Sequence, residues 1–152
     1  MILKLSKVDI VSQKETTQKA FSNLEKTLDV LKKIQLPANL ITVINHKIEV
    51  LNSFQNSERK YRNKLIIEQH NILQLVKKET GYVSEKYYQK QWFVLGMSIF
   101  GIPFGLLFSY FAGNTGLLGI GFPIGMLLGA MVGKRKDEKM KREGKQLQLT
   151  LN

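Results

Sequence analysis

The chain has 152 residues, with 23 basic and 12 acidic side chains for a net charge of +11, and a mean hydropathy of −0.13. It contains no cysteine, which excludes disulfides, thiolate metal sites and cysteine nucleophiles. The average hides three unlike parts: residues 1–91 carry 16 basic and 9 acidic residues, residues 92–133 carry no charge, and residues 134–152 carry 7 basic and 3 acidic.

The opening stretch, MILKLSKVDIVSQK, lacks a continuous apolar core of signal-peptide length, because Lys4, Lys7 and Asp9 interrupt it. The N-terminal part is therefore expected to stay in the cytosol. Ser12 and Glu15 have the spacing of a capping box, and behind them Ala20, Phe21, Leu24, Leu28, Leu31 and Ile34 recur at helical spacing until Pro37. A second helix is expected after Asn39, carrying Leu40, Ile44, Ile48 and Leu51, although the β-branched stretch from Ile41 to Val50 is also compatible with a strand. A third runs from Ser57 to Thr80, with Tyr61, Leu65, Ile72, Leu75 and Val76 on one side and Gly81 at its end. Ser84 is placed to cap the helix that follows. Three amphipathic helices this short bury little core, so self-association is expected.

A run of 42 uncharged residues is too long for one membrane span, since about 20 residues cross a hydrocarbon core roughly 30 Å thick. Its centre carries turn chemistry, Gly113 to Gly116 (GNTG), which divides it into Trp92 to Ala112 and Gly116 to Gly133. The first half holds 11 Leu, Ile, Val or Phe residues. Those favour insertion by about 3 to 7 kcal/mol before polar corrections. The second holds 8, together with six glycines and Pro123, and is expected to insert as the partner of the first. Lys86 and Lys90 precede the block, and Lys134, Arg135 and Lys136 follow it. The positive-inside rule puts both flanks in the cytoplasm, with Tyr87, Tyr88 and Trp92 at the membrane interface. A re-entrant hairpin that enters and leaves by one face fits the same pattern.

Within the block, Gly101-Ile-Pro-Phe-Gly-Leu-Leu echoes Gly121-Phe-Pro-Ile-Gly-Met-Leu twenty residues later. Pro103 and Pro123 each remove a backbone donor, and are expected to kink the two helices at a common depth, freeing the carbonyls of Ile99 and Gly119. Gly121, Gly125, Gly129 and Gly133 repeat every four residues, with Gly101 and Gly105 as a shorter version on the first helix. Such a ladder lets another backbone approach closely, within the hairpin or between chains. In this ladder and the charged stretch behind it, GFPIGMLLGAMVGKRKDEKMKREGKQL, the chain resembles small bacterial two-span membrane proteins with a glycine-zipper hairpin. The resemblance covers Gly121 to Leu147; it implies topology and no activity.

No catalytic constellation, phosphate loop or cofactor site is legible, and His46 and His70 are isolated from other ligand types. The fold expected is an all-α membrane protein with three parts: a cytosolic helical bundle or coiled coil over residues 1–84, a transmembrane hairpin over 85–133, and a basic C-terminal helix within 134–152. The function expected is a non-enzymatic module anchored in the inner (plasma) membrane, with both termini cytoplasmic. Its expected partners are anionic lipid headgroups, further copies of itself and an unidentified protein, while nucleic acid lacks a recognisable binding module. The alternative is a small oligomeric pore, channel or holin-like protein.

Overall fold

The computed structural model describes residues 1–6, 14–54 and 57–149. The chain divides into two compact units: Met1–Val83 with Leu147–Asn152, and Ser84–Gln146. It is mostly helical.

The first unit holds α1 (Glu15–Lys32), α2 (Ala38–Asn52) and α3 (Glu58–Thr80). The N-cap of α1 is Lys14, which makes no side-chain cap; Ser12 of the expected capping box lies outside the described residues. Pro37, with φ −56°, stands at the N-cap of α2, so the β-branched stretch after it is helical and no strand forms there. Gly81 ends α3 in the left-handed region (φ 77°), a conformation that costs glycine little, and its N–H closes on the Lys77 carbonyl.

α3 packs against both α1 and α2. Their shared core is built from Leu24, Leu28 and Leu31 of α1, Ile44, Ile48 and Leu51 of α2, and Tyr61, Leu65, Ile72 and Val76 of α3. The few polar groups inside are paired. Gln69 Nε2 donates to Thr27 Oγ1 (2.9 Å) and to the Asn23 carbonyl (3.2 Å). Buried Glu68 meets Lys47 at 2.7 Å and Lys64 at 3.0 Å. Burial pushes the Glu68 carboxyl pKa upward, but hydrogen bonds from Lys47, Lys64 and Asn71, with the Lys47 charge, outweigh it and hold the net value below the usual one. Only the Tyr61 hydroxyl is buried without a hydrogen-bond partner among the described residues, and burial raises its pKa.

The first six residues form an extended strap across α2. Asn45 brackets Ile2: its Oδ1 accepts from the Leu3 N–H (2.9 Å) and its Nδ2 donates to the Met1 carbonyl (3.1 Å). Asn52 brackets Leu5 in the same way, accepting from the Ser6 N–H (2.9 Å) and donating to the Lys4 carbonyl (3.3 Å). The spacing matches because seven residues of helix rise about 10.5 Å and three residues of extended chain span about 10 Å. Ile2 and Leu5 are only 4% and 3% exposed. Burying two such side chains contributes about 3 to 6 kcal/mol. Four neutral hydrogen bonds contribute about 2 to 6 kcal/mol. Ordering six residues of backbone costs about 6 to 12 kcal/mol. The strap is therefore held close to balance.

The second unit is a helical hairpin. Its first arm runs through α4 (Tyr87–Gly96), a π-helical turn (Met97–Gly101) and α5 (Ile102–Ala112). The second comprises a 3₁₀ stretch (Thr115–Ile120) and α6 (Gly121–Arg142). Gly113 takes φ 61° at the turn, and Asn114 Oδ1 accepts from the Gly116 N–H at 2.9 Å, so the GNTG stretch supplies both the reversal and the cap.

Two sequence expectations are corrected here. The short basic C-terminal helix does not exist as a separate element: α6 continues without a break from the apolar ladder through Lys134, Arg135 and Lys136 to Arg142. No proline or glycine lies between Lys134 and Arg142, so helical propagation carries on. Ser84 does not cap α4, whose N-cap is Lys86 with φ 56°. Ser84 lies instead in a two-residue strand, β1 (Val83–Ser84), which pairs with β2 (Gln146–Leu147).

Candidate packing and interface site

Every glycine named for helix packing lies between the two arms. On the second arm Gly121, Gly125, Gly129 and Gly133 are buried, and on the first Gly101 and Gly105. Backbone occupies the space their side chains would need. A Cβ on Gly125 would lie 2.6 Å from Gly101 Cα; on Gly129, 2.8 Å from Gly96 Cα; on Gly133, 2.5 Å from Gln89 Cα; and on Gly121, 2.7 Å from Gly105 Cα. The carbonyls of Tyr88, Trp92, Gly96 and Gly101 sit where methyl groups on Gly133, Gly129, Gly125 and Gly121 would go. The arms thus meet backbone to backbone, a geometry that suits weak Cα–H···O contacts and dispersion.

The register is antiparallel. Gly105 faces Gly121, Gly101 faces Gly125 and Gly96 faces Gly129. The same register sets Pro103 level with Pro123. Each proline stands in the first turn of an α segment that follows a differently wound stretch, the π turn before α5 and the 3₁₀ stretch before α6. There a missing N–H costs least. The Ile99 and Gly119 carbonyls fall within those two stretches.

The π turn also explains how an irregular sequence makes a regular face. On the second arm the buried positions step by four. On the first, the positions whose backbone meets them are Tyr88, Trp92, Gly96, Gly101 and Gly105, with one step of five between Gly96 and Gly101. In an α-helix five residues turn about 500°, which would rotate Gly101 some 140° away from Gly96. A single π turn takes up the extra residue. Gly96 was therefore missed as a packing residue, because a search for steps of four ends at Gly101.

Asp137 was missed as well. It is the next step of four after Gly133, and it is 7% exposed. Its Oδ1 accepts from the Tyr88 N–H (3.0 Å) and its Oδ2 from the Gln89 N–H (2.9 Å). These N–H groups belong to the first turn of α4, where Lys86 makes no side-chain cap. A carboxylate from the opposite arm thus supplies the N-cap, with a favourable charge at the positive end of the helix. The signal available was the continuation of the four-residue period into an acid among lysines.

At this same end of the hairpin Lys136 Nζ lies 4.4 Å from the Trp92 ring centroid and 5.8 Å from that of Tyr88. Tyr87 and Tyr88 meet edge to face at 5.1 Å. The interface residues expected on Tyr88, Trp92 and Lys136 thus come together, while Lys134 and Arg135 point outward and are exposed. Tyr110 and Phe111, at the far end, are 82% and 81% exposed.

The outer surface reverses the usual arrangement. Phe93, Ile99, Phe104, Leu107, Phe108 and Leu127 are all exposed, whereas the buried residues are glycines and Asp137. Two helices, Tyr87–Ala112 and Thr115–Arg142, are long and apolar enough to cross a membrane. Only 17% and 22% of their most apolar windows are buried, unlike the core helices of a water-soluble domain. Among the described residues no group of three His, Cys, Asp or Glu is placed to hold a metal. No protein-family model, curated protein or solved structure matches the chain.

Proposed function

We propose that this chain is a non-catalytic integral membrane protein whose hairpin anchors an interaction or assembly module of helices on the cytoplasmic side of the inner (plasma) membrane. The carrying observation is that the hairpin buries glycine and exposes Phe, Leu and Ile, an arrangement suited to a hydrocarbon solvent. The arms, at 26 and 28 residues, extend about 39 and 42 Å. That exceeds a hydrocarbon core of about 30 Å, so the turns bearing Tyr87, Tyr88 and Trp92 and those beyond Lys134 fall in the headgroup region. Lys134, Arg135 and Lys136 then meet anionic headgroups, and both ends of the hairpin lie on one side. Self-association through the glycine ladder would require the arms to exchange partners, because these glycines are already buried within the hairpin.

The test uses the absence of native cysteine. Asn114→Cys should be labelled by an impermeant maleimide from outside intact cells, and the protein should resist carbonate extraction. Labelling only after lysis would overturn the two-span topology, and release by carbonate would overturn membrane integration. The pore reading would have to line a lumen with the outward faces, where Ser98 and Ser109 are the polar groups. Sustained ion conductance of purified protein in liposomes would favour it over the anchor.

A further inference from the structure

The strap over α2 has the form of a peptide in a binding site. Asn45 and Asn52 hold its backbone through two pairs of hydrogen bonds that read no side chain. Selectivity is left to the two inward positions, Ile2 and Leu5. Main-chain pairing with alternate side chains in pockets is the logic of strand-type peptide recognition, here performed by asparagines on a helix.

The seat also has room beside it. Two half-open clefts flank Ile2. One, of about 430 Å³, is bordered by the strap and by Leu28 and the charged Glu25, Asp29 and Lys32 of α1. The other, of about 290 Å³, is walled by Leu31, Ile34, Leu36 and Ile41. Open space on both sides of this isoleucine leaves room there for a larger side chain. With attraction and ordering cost nearly equal, the strap is a weak occupant with open clefts beside it.

We propose that Asn45 and Asn52 form a peptide-binding site, occupied by the chain's own residues 1–6 until a partner segment displaces them. That segment is an extended peptide with an aromatic side chain at the Ile2 position, an aliphatic one at the Leu5 position and a basic residue between, facing Glu25 and Asp29. The inference stands on the first unit alone and does not depend on the membrane reading.

The test uses the full chain in detergent and a fluorescent acetylated probe, Met-Phe-Leu-Lys-Leu-Ser. Ile2→Asp weakens the strap and leaves the seat intact, so the probe should bind that variant at least about tenfold more tightly than the unmodified chain. Adding Asn45→Ala and Asn52→Ala should abolish binding. Equal binding to the Ile2→Asp and unmodified chains, or binding that survives loss of both asparagines, would overturn the site. Independently, Ile2→Phe in the intact chain should raise the melting temperature of the first unit. A fall would show that the flanking space does not admit an aromatic ring, and would overturn the partner's proposed chemistry.

Discussion

Leu24, Ile44 and Ile72 in the first unit and Gly125, Gly129 and Gly133 in the second share the property of being buried, and almost nothing else. The first unit hides branched side chains and faces outward with lysine and glutamate. The second hides glycine and faces outward with phenylalanine, leucine and isoleucine. One chain thus solves helix packing twice. Where water is the solvent, apolar area removed from it drives association. In the apolar surroundings proposed for the second unit that drive vanishes, and close backbone approach takes its place. Burial therefore carries opposite meanings in the two units: a large residue is needed in one and excluded in the other.

Enlarging a buried position should break the second unit and shrinking one should break the first. Gly129→Leu, against the Gly96 backbone, should cost at least about 3 kcal/mol, the upper end for overpacking, because backbone cannot step aside as a side chain can. Its arms should separate by spin-label distance measurement in detergent, while Leu127→Ala, on the exposed face, should leave that distance unchanged. In the first unit Ile44→Ala should cost about 2 to 5 kcal/mol in urea denaturation, through lost transfer energy and the cavity left behind. Asp137→Ala should destabilise the hairpin by about 1 to 2 kcal/mol in thermal melts, with Asp137→Asn intermediate because one acceptor oxygen survives.

The smallest expected effect belongs to Glu68. Its carboxyl pKa is lower in the folded chain than in the unfolded one, so the ionised form stabilises the fold. That contribution is fully present above the ordinary value of 4.5 and is lost as pH falls through the folded value. The loss should be visible in the pH dependence of urea stability, and should disappear from it in Glu68→Gln.

Much of this was legible in the residues because it is local. The apolar run, the GNTG reversal and the period of four on the second arm depend on neighbours a few positions apart, and the helical faces of α1, α2 and α3 follow from side-chain periodicity. The misses are of another kind. Gly96 was hidden by a π turn that changes the period midway, and Asp137 looked like one surface acid among lysines until the opposite arm brought the N–H groups of Tyr88 and Gln89 to it. Ser84 satisfied a capping pattern, yet the helix begins at Tyr87. The strap gave no periodic signal, since its partners Asn45 and Asn52 lie more than forty residues away.

The amino-acid sequence alone determined that this protein has two apolar, glycine-bearing arms flanked by charge, the second richer in glycine than the first, because solvent preference and turn propensity act residue by residue. Only the tertiary structure decided that those glycines meet within one chain, that a carboxylate on one arm caps the other, and that the first residues lie along α2. Each of these depends on register between distant segments, and register is set by the summed fit of whole faces.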